Sequence, residues 1–267
     1  MTRKLIVLLA TFGTLFALLP GSAGAVVYGT PDGNNHPYVG MVRFWDAKGN
    51  YLWRCSGTMI SPKVMLTAGH CTFGAAQARL WFSEVAPSLS EIQSGTASDP
   101  GLAGTPHANP DYDDFATFPN THDVGVVILK KAVSLSSYGV LPSPGYLDKL
   151  ATRRGLQDEL FTIVGYGLQD VKPEPVDLVQ RFYGTAKLIN LNNQLTDGYN
   201  IELTADDGAA HQGAQCFGDS GGPQFYGTSA LIAAVTSFGL NRNCAGTGFG
   251  HRVDLADENA WIRSFLR

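Results

Sequence analysis

Short β-branched runs broken by turn residues constrain this chain most. "YVGMVRFW" (Tyr38–Trp45), "KVMLTA" (Lys63–Ala68), "VGVVIL" (Val124–Leu129), "LFTIVGYG" (Leu160–Gly167) and "ALIAAVTSFG" (Ala230–Gly239) are each bounded by Gly, Pro or Asn. Runs of that length and composition read as strands of an all-β sandwich or barrel. Composition agrees, with 31 Gly, 14 Pro and only 16% charged residues. Only the carboxyl end, "DLADENAWIRSFLR", reads as helix; Asp254 is the candidate cap, and Leu255, Trp261, Ile262 and Phe265 can share one face. "VKPEPVDL" (Val171–Leu178) reads as an exposed loop, and a boundary between two halves falls most easily at 136–145, "SSYGVLPSPG". No repeat of fixed period is present.

The amino-terminal segment has three zones in order. Arg3 and Lys4 precede an apolar run from Leu5 to Leu19, and Ala23-Gly24-Ala25 forms a small-x-small site. That run of 15 residues is shorter than the roughly 20 a bilayer requires, so residues 1–25 read as a cleaved export signal. Removing them leaves 26–267, or 267 − 25 = 242 residues, enough for one large domain or two small halves. No later apolar run could span a membrane. A net charge of −4 without a basic stripe argues against a nucleic-acid partner. Four Cys in an exported chain favour two disulfides, with three pairings open. Sequential pairing would link residues 16 and 28 positions apart. The compact leader and the lack of an N-x-Ser/Thr site fit a bacterial exported enzyme.

Three stretches carry chemistry: "LTAGHCT" (Leu66–Thr72), "THDVGVVIL" (Thr121–Leu129) and "CFGDSGGP" (Cys216–Pro223). A serine hydroxyl is a poor nucleophile until a base removes its proton. His titrates near neutrality and can accept that proton, then pass it to a leaving group. A buried carboxylate on the other ring nitrogen fixes the tautomer and stabilises the imidazolium. His70, Asp123 and Ser220 are the candidates for these roles. The glycines around Ser220 allow the amides of Gly218 and Ser220 to point at one spot as an oxyanion hole, where each donor is worth about 3 kcal/mol. The "DYDD" run (Asp111–Asp114) lacks EF-hand spacing and reads as a solvated loop. His36, His107, His122, His211 and His251 read as surface or structural residues.

These stretches, in this order, resemble the chymotrypsin/trypsin family of serine proteases from Val26 to Arg267. "CSGTMIS" (Cys55–Ser61), "NPDYD" (Asn109–Asp113), "GYG" (Gly165–Gly167), "TSFG" (Thr236–Gly239) and Trp261-Ile262 resemble further family landmarks. The resemblance implies two six-stranded antiparallel β-barrels with the site between them, a carboxyl-terminal helix, and disulfides Cys55–Cys71 and Cys216–Cys244. It implies a secreted, monomeric endopeptidase acting on protein or peptide substrates through an acyl-enzyme. No metal or organic cofactor is called for, and a protein inhibitor is a possible partner. A catalytically silent binding module and a non-peptidase acyl hydrolase are the alternatives; retention of all three residues disfavours the first, and the lack of a GxSxG elbow directly after a strand the second.

The resemblance also places a specificity pocket. Its base would be Ala214, followed by Gln215, and its walls Ser237, Phe238, Gly239 and Gly248. Without a carboxylate at the base, a substrate Lys or Arg would be buried unpaired, which favours apolar or aromatic side chains. Glycine at both walls should leave room for bulk, and Gln215 could narrow the pocket or bond a polar group. Ser237 would also bond the Asp123 carboxylate. "VVYG" at Val26 resembles the family's mature amino-terminus, whose ammonium pairs with the aspartate before the serine, here Asp219. Ala-Gly-Ala abuts Val26 directly, so the expectation is maturation by signal peptidase itself, without a zymogen stage.

Overall fold

A computed structural model describes residues 26–151, 159–205 and 213–266. The expected export signal, residues 1–25, lies outside the described residues. A two-residue strand, β1 (Thr30–Pro31), leads into the first barrel. That barrel comprises β2 (Val39–Trp45), β3 (Tyr51–Met59), β4 (Val64–Thr67), β5 (Gln77–Trp81), β6 (Leu102–Ala108) and β7 (Gly125–Leu129). It closes in the order β2-β3-β4-β7-β6-β5, every pair antiparallel. Three short helices lie on or between the barrels: α1 (Gly69–Thr72), α2 (Leu89–Ser94) and α3 (Asp148–Ala151).

The second barrel comprises β8 (Leu160–Gly165), β9 (Phe182–Asn190), β10 (Asn200–Ala205), β11 (Pro223–Tyr226), β12 (Ile232–Gly239) and β13 (Gly246–Arg252). The order β9-β10-β13-β12-β11-β8 closes through β8–β9 pairing, and β1 adds to the outside of β9. Closure removes the exposed edges that strands otherwise present. One apolar cluster gathers Phe44, Met65, Leu66 and Val127 of the first barrel and runs on to Val164, Phe225 and Val235 of the second, and another gathers Phe161, Ile163, Leu188 and Leu203 within the second. The fold is thus the expected pair of six-stranded antiparallel barrels.

Helix α4 (Ala256–Ser264) ends the chain and rests Ile262, Trp261 and Phe265 on the first barrel's cluster. Its cap differs from expectation. Leu255 occupies the cap position and makes no side-chain cap bond. Asp254 is instead claimed by the buried Arg252, at 2.8 Å to each oxygen, and by the Leu147 amide. A buried guanidinium needs its counter-charge more than a helix end needs a cap. Helix also occurs outside the carboxyl end: α2 carries a Ser88–Glu91 capping box, which stabilises six residues without a buried face.

Candidate active site

His70 lies in α1, just past the end of β4, and Asp123 two residues before β7. β4 and β7 are paired neighbours (Thr67↔Gly125), which brings the two side chains together. Asp123 is fully buried, and its carboxylate is enclosed by donors. It accepts the His70 backbone N–H at 2.7 Å, faces His70 Nδ1 at 2.9 Å, and accepts the Ser237 hydroxyl at 2.5 Å. Burial alone would raise the carboxyl pKa, but the His70 charge and these bonds outweigh it and hold it below the ordinary value. For His70 burial disfavours the charged ring, yet the Asp123 charge and hydrogen bond prevail and raise its pKa. With Nδ1–H directed at Asp123, Nε2 is left as the basic nitrogen.

Ser220 sits on the turn Cys216–Pro223, clamped between the barrels. Its carbonyl accepts the Ser56 amide of β3 at 2.8 Å, and the next amide, Gly221, donates to Thr236 of β12 at 2.8 Å. The Ser56 hydroxyl donates to the Gly218 carbonyl and accepts the Tyr166 amide, both at 2.9 Å. Gly221 has φ +74°, and a Cβ there would collide with Thr67 Oγ1 and the Ala68 amide. Only glycine fits this position, which explains why the serine is followed by it. The Gly218 and Ser220 amides themselves make no intramolecular hydrogen bond among the described residues. Two adjacent unpaired donors beside a serine can receive an oxyanion. Ser220 and His70 line one cavity of about 520 Å3, with no hydrogen bond between them.

Asp219 is fully buried and accepts the Gly167 and Cys216 amides, each at 2.8 Å. Burial pushes its carboxyl up to about 7 despite those bonds. Val26 is buried too, its side chain against Gly184 and Gly213, and the Val27 carbonyl accepts the Ala214 amide at 2.9 Å. In the intact chain the Val26 nitrogen is a peptide amide, and it is not among the donors to Asp219.

A second cavity, of about 330 Å3, opens on the other side of Ser220. Ser237, Phe238, Gly239 and Gly248 line it, with the disulfide Cys216–Cys244 beside them. The base differs. Ala214 is buried behind the cavity, and Gln215 lines it instead. Gln215 Nε2 donates to the Phe238 and Phe249 carbonyls at 2.9 and 3.0 Å, and its Oε1 accepts Gln224 at 2.6 Å. Gly239 faces Gly248 in register, and a Cβ on Gly239 would meet open space. One on Gly248 would meet Gln215 at 2.7 Å, so the glutamine fills the room expected there. The other disulfide, Cys55–Cys71, ties β3 to α1 beside His70.

Aromatic residues that carried no sequence signal complete the cleft. Phe115, at φ 65° on the loop before Asp123, lies 6.0 Å from the His70 ring and 6.3 Å from Phe238. Phe118 meets Phe238 at 5.4 Å, and Phe249 stacks on Phe238 at 4.5 Å. Gln224 could have been noticed as a polar residue directly after "GDSGGP".

Two closed barrels joined at such a cleft define a chymotrypsin-like fold. A solved structure titled HL collagenase superposes with a TM-score of 0.69 at 19% identity, over 90% of this chain and 98% of that one. Human heparin binding protein does so with a TM-score of 0.59 at 16% identity, over 87% and 92%. The family model named Trypsin matches residues 28–262, and the chain belongs to that family of serine proteases. Curated relatives include brachyurin of Leptuca pugilator, 27% identical over 201 residues, covering 72% of this chain and 79% of the relative. Mast cell protease 2 of Meriones unguiculatus is 25% identical over 92% of each. CLIP domain-containing serine protease B15 of Anopheles gambiae is 24% identical, but this chain spans only 59% of it. These relatives are animal proteins, so they give no support to the bacterial source expected from the leader.

Proposed function

We propose that the protein is a secreted serine endopeptidase with His70, Asp123 and Ser220 as its catalytic triad. The observation that carries this reading is the Asp123–His70 pair and Ser220 on one cavity, with the two unpaired amides of Gly218 and Ser220 beside it. Ser220 Oγ attacks the scissile carbonyl as His70 Nε2 takes its proton, and Asp123 stabilises the resulting imidazolium. The oxygen that becomes negative is received by the Gly218 and Ser220 amides. His70 then protonates the departing amine, and water repeats the sequence on the acyl-enzyme.

The second cavity takes the side chain before the scissile bond, and apolar or aromatic groups suit it. Gln215 is occupied by main-chain carbonyls and Gln224, so it closes the cavity without offering a free charge. Phe238, Leu240 and the Cys216–Cys244 disulfide supply apolar wall. Export through a signal cut after Ala25 would expose the Val26 amine to Asp219, a buried carboxyl in need of a cation. Amino-terminal sequencing of active secreted protein should read Val26; another start overturns that part.

The test is labelling with a serine-directed fluorophosphonate followed by a peptide library read by mass spectrometry. Ser220→Ala should abolish both labelling and cleavage. No labelling of folded, mature protein would favour a silent binding module, a use compatible with a fold shared by a protein titled heparin binding. Labelling without peptide cleavage would favour a non-peptidase acyl hydrolase. Frequent cleavage after Lys or Arg would overturn the pocket assignment.

A further inference from the structure

The approach to Asp123 is fastened from behind by a buried carboxylate on α4. Glu258 is fully buried. Its Oε2 accepts Asn109 Nδ2 at 2.6 Å, and its Oε1 lies 2.7 Å from His122 Nδ1 and 3.3 Å from His251 Nε2. His122 immediately precedes Asp123 and has φ 47°, a left-handed backbone that residues with a Cβ avoid. Its carbonyl accepts the Val124 amide at 2.7 Å, so Asp123 stands at the middle of a tight turn. Asn109, the partner of Glu258 Oε2, follows the last residue of β6 and pairs its amide with the Val124 carbonyl at 3.0 Å. Registered pairing between β6 and β7 ends at Ala108↔Gly125. One carboxylate thus holds both chain segments just beyond that point, where Asp123 leaves the sheet.

His122 is held on its other side as well. Its Nε2 lies 3.0 Å from Asn120 Nδ2, so the ring bridges the approach segment and α4. His251, on β13, links Glu258 on to Asn200 at 3.1 Å, and Asn200 donates to the Pro119 carbonyl at 2.9 Å. The segment 119–122 is therefore tied at both ends to groups that converge on Glu258. We propose that Glu258 is a positioning residue for the reaction: it keeps the His122 backbone left-handed and thereby aims the Asp123 carboxylate at His70. The proposal rests on Asp123 being the triad aspartate.

The central variant is Glu258→Gln, which keeps the side chain's volume but turns an N–H toward one of its donors. It should lower kcat by about 10- to 100-fold with KM within about twofold, the pattern of a group whose effect is felt in the transition state. The low-field proton resonance of the His70 Nδ1–H to Asp123 hydrogen bond should shift or broaden. Asn109→Ala removes the other partner of the same carboxylate and leaves His122 bonded; it should lower the melting temperature while leaving kcat within about threefold. Adding His122→Asn to Glu258→Gln should recover part of kcat, because asparagine accepts the left-handed region more readily. Unchanged kcat and resonance in a folded Glu258→Gln overturns the proposal, and so does loss of kcat in proportion to melting temperature in both single variants. If Glu258→Gln does not fold, His122→Val against His122→Asn decides: valine should lower kcat and asparagine keep it, and equal rates overturn the idea. Asp123→Asn separates the two levels. Full activity there refutes the triad itself, whereas a loss on the order of 10⁴-fold beside an unaffected Glu258→Gln refutes only the positioning role.

Discussion

At the scale of single residues, two buried carboxyls respond to burial in opposite ways. Asp123 meets a histidine and a hydroxyl and stays charged; Asp219 bonds only amides, and burial outweighs them and the Arg54 charge to push it up to about 7. The first sets the acidic limb of the rate. Rate should rise as His70 loses its proton, with a midpoint above that of an ordinary histidine, since Asp123 favours the charged ring. Asp123→Asn should lower kcat on the order of 10⁴-fold and move the limb to lower pH, read from a pH–rate profile. Asp219 acts on stability. Its folded pKa is raised, so its contribution is complete below the unfolded value of 3.8 and is lost as pH climbs to about 7. Protein retaining Ala25 before Val26 should therefore become less stable across that window, and Asp219→Asn should flatten the slope. Melting temperatures taken across it decide; an equal slope in both forms would remove Asp219 as the cause.

At the scale of elements, the apolar strands were readable and the polar ones were not. "KVMLTA" became β4, "VGVVIL" became β7, and "ALIAAVTSFG" became β12, because β-branched runs on a closed sheet need no partner information to be recognised. β13, "GTGFGHR", gave no strand signal: its glycines make room for Gln215 and Gln224, and its buried His251 and Arg252 reach partners far along the chain, Asn200 and Asp148, as well as nearby ones. The site followed the same division. His70, Asp123 and Ser220 were legible because their neighbours are dictated by local backbone geometry, as at Gly221. Glu258 and Phe115 were not, since only folding brings them near. Gly221→Ala should cost at least about 2 kcal/mol, given the left-handed backbone and the collision with Thr67. Denaturant unfolding measures this, and titration of active sites should show fewer competent molecules; unchanged stability would refute the account of that turn.

At the scale of the whole molecule, the barrels are joined by a buried arginine that no motif announced. Arg181, just before β9, is fully buried and bonds Asp32 at 2.8 Å, the Val39 and Phe82 carbonyls at 2.9 and 3.0 Å, and the Tyr166 hydroxyl at 3.1 Å. Arg181→Met should leave the buried Asp32 with only His36 beside it and cost about 3 kcal/mol, or about 10 °C in melting temperature. An unchanged melting temperature would show that the bridge is neutral. The proposed triad depends on the same junction, since His70 and Asp123 come from one barrel and Ser220 from the other. On that reading, a slight parting of the barrels would draw Ser220 away from His70 and stop the reaction before the strands come apart. A worn copy of this protein would then fall inert before it unravels, a fail-safe that spares its surroundings from a half-folded but still cutting enzyme.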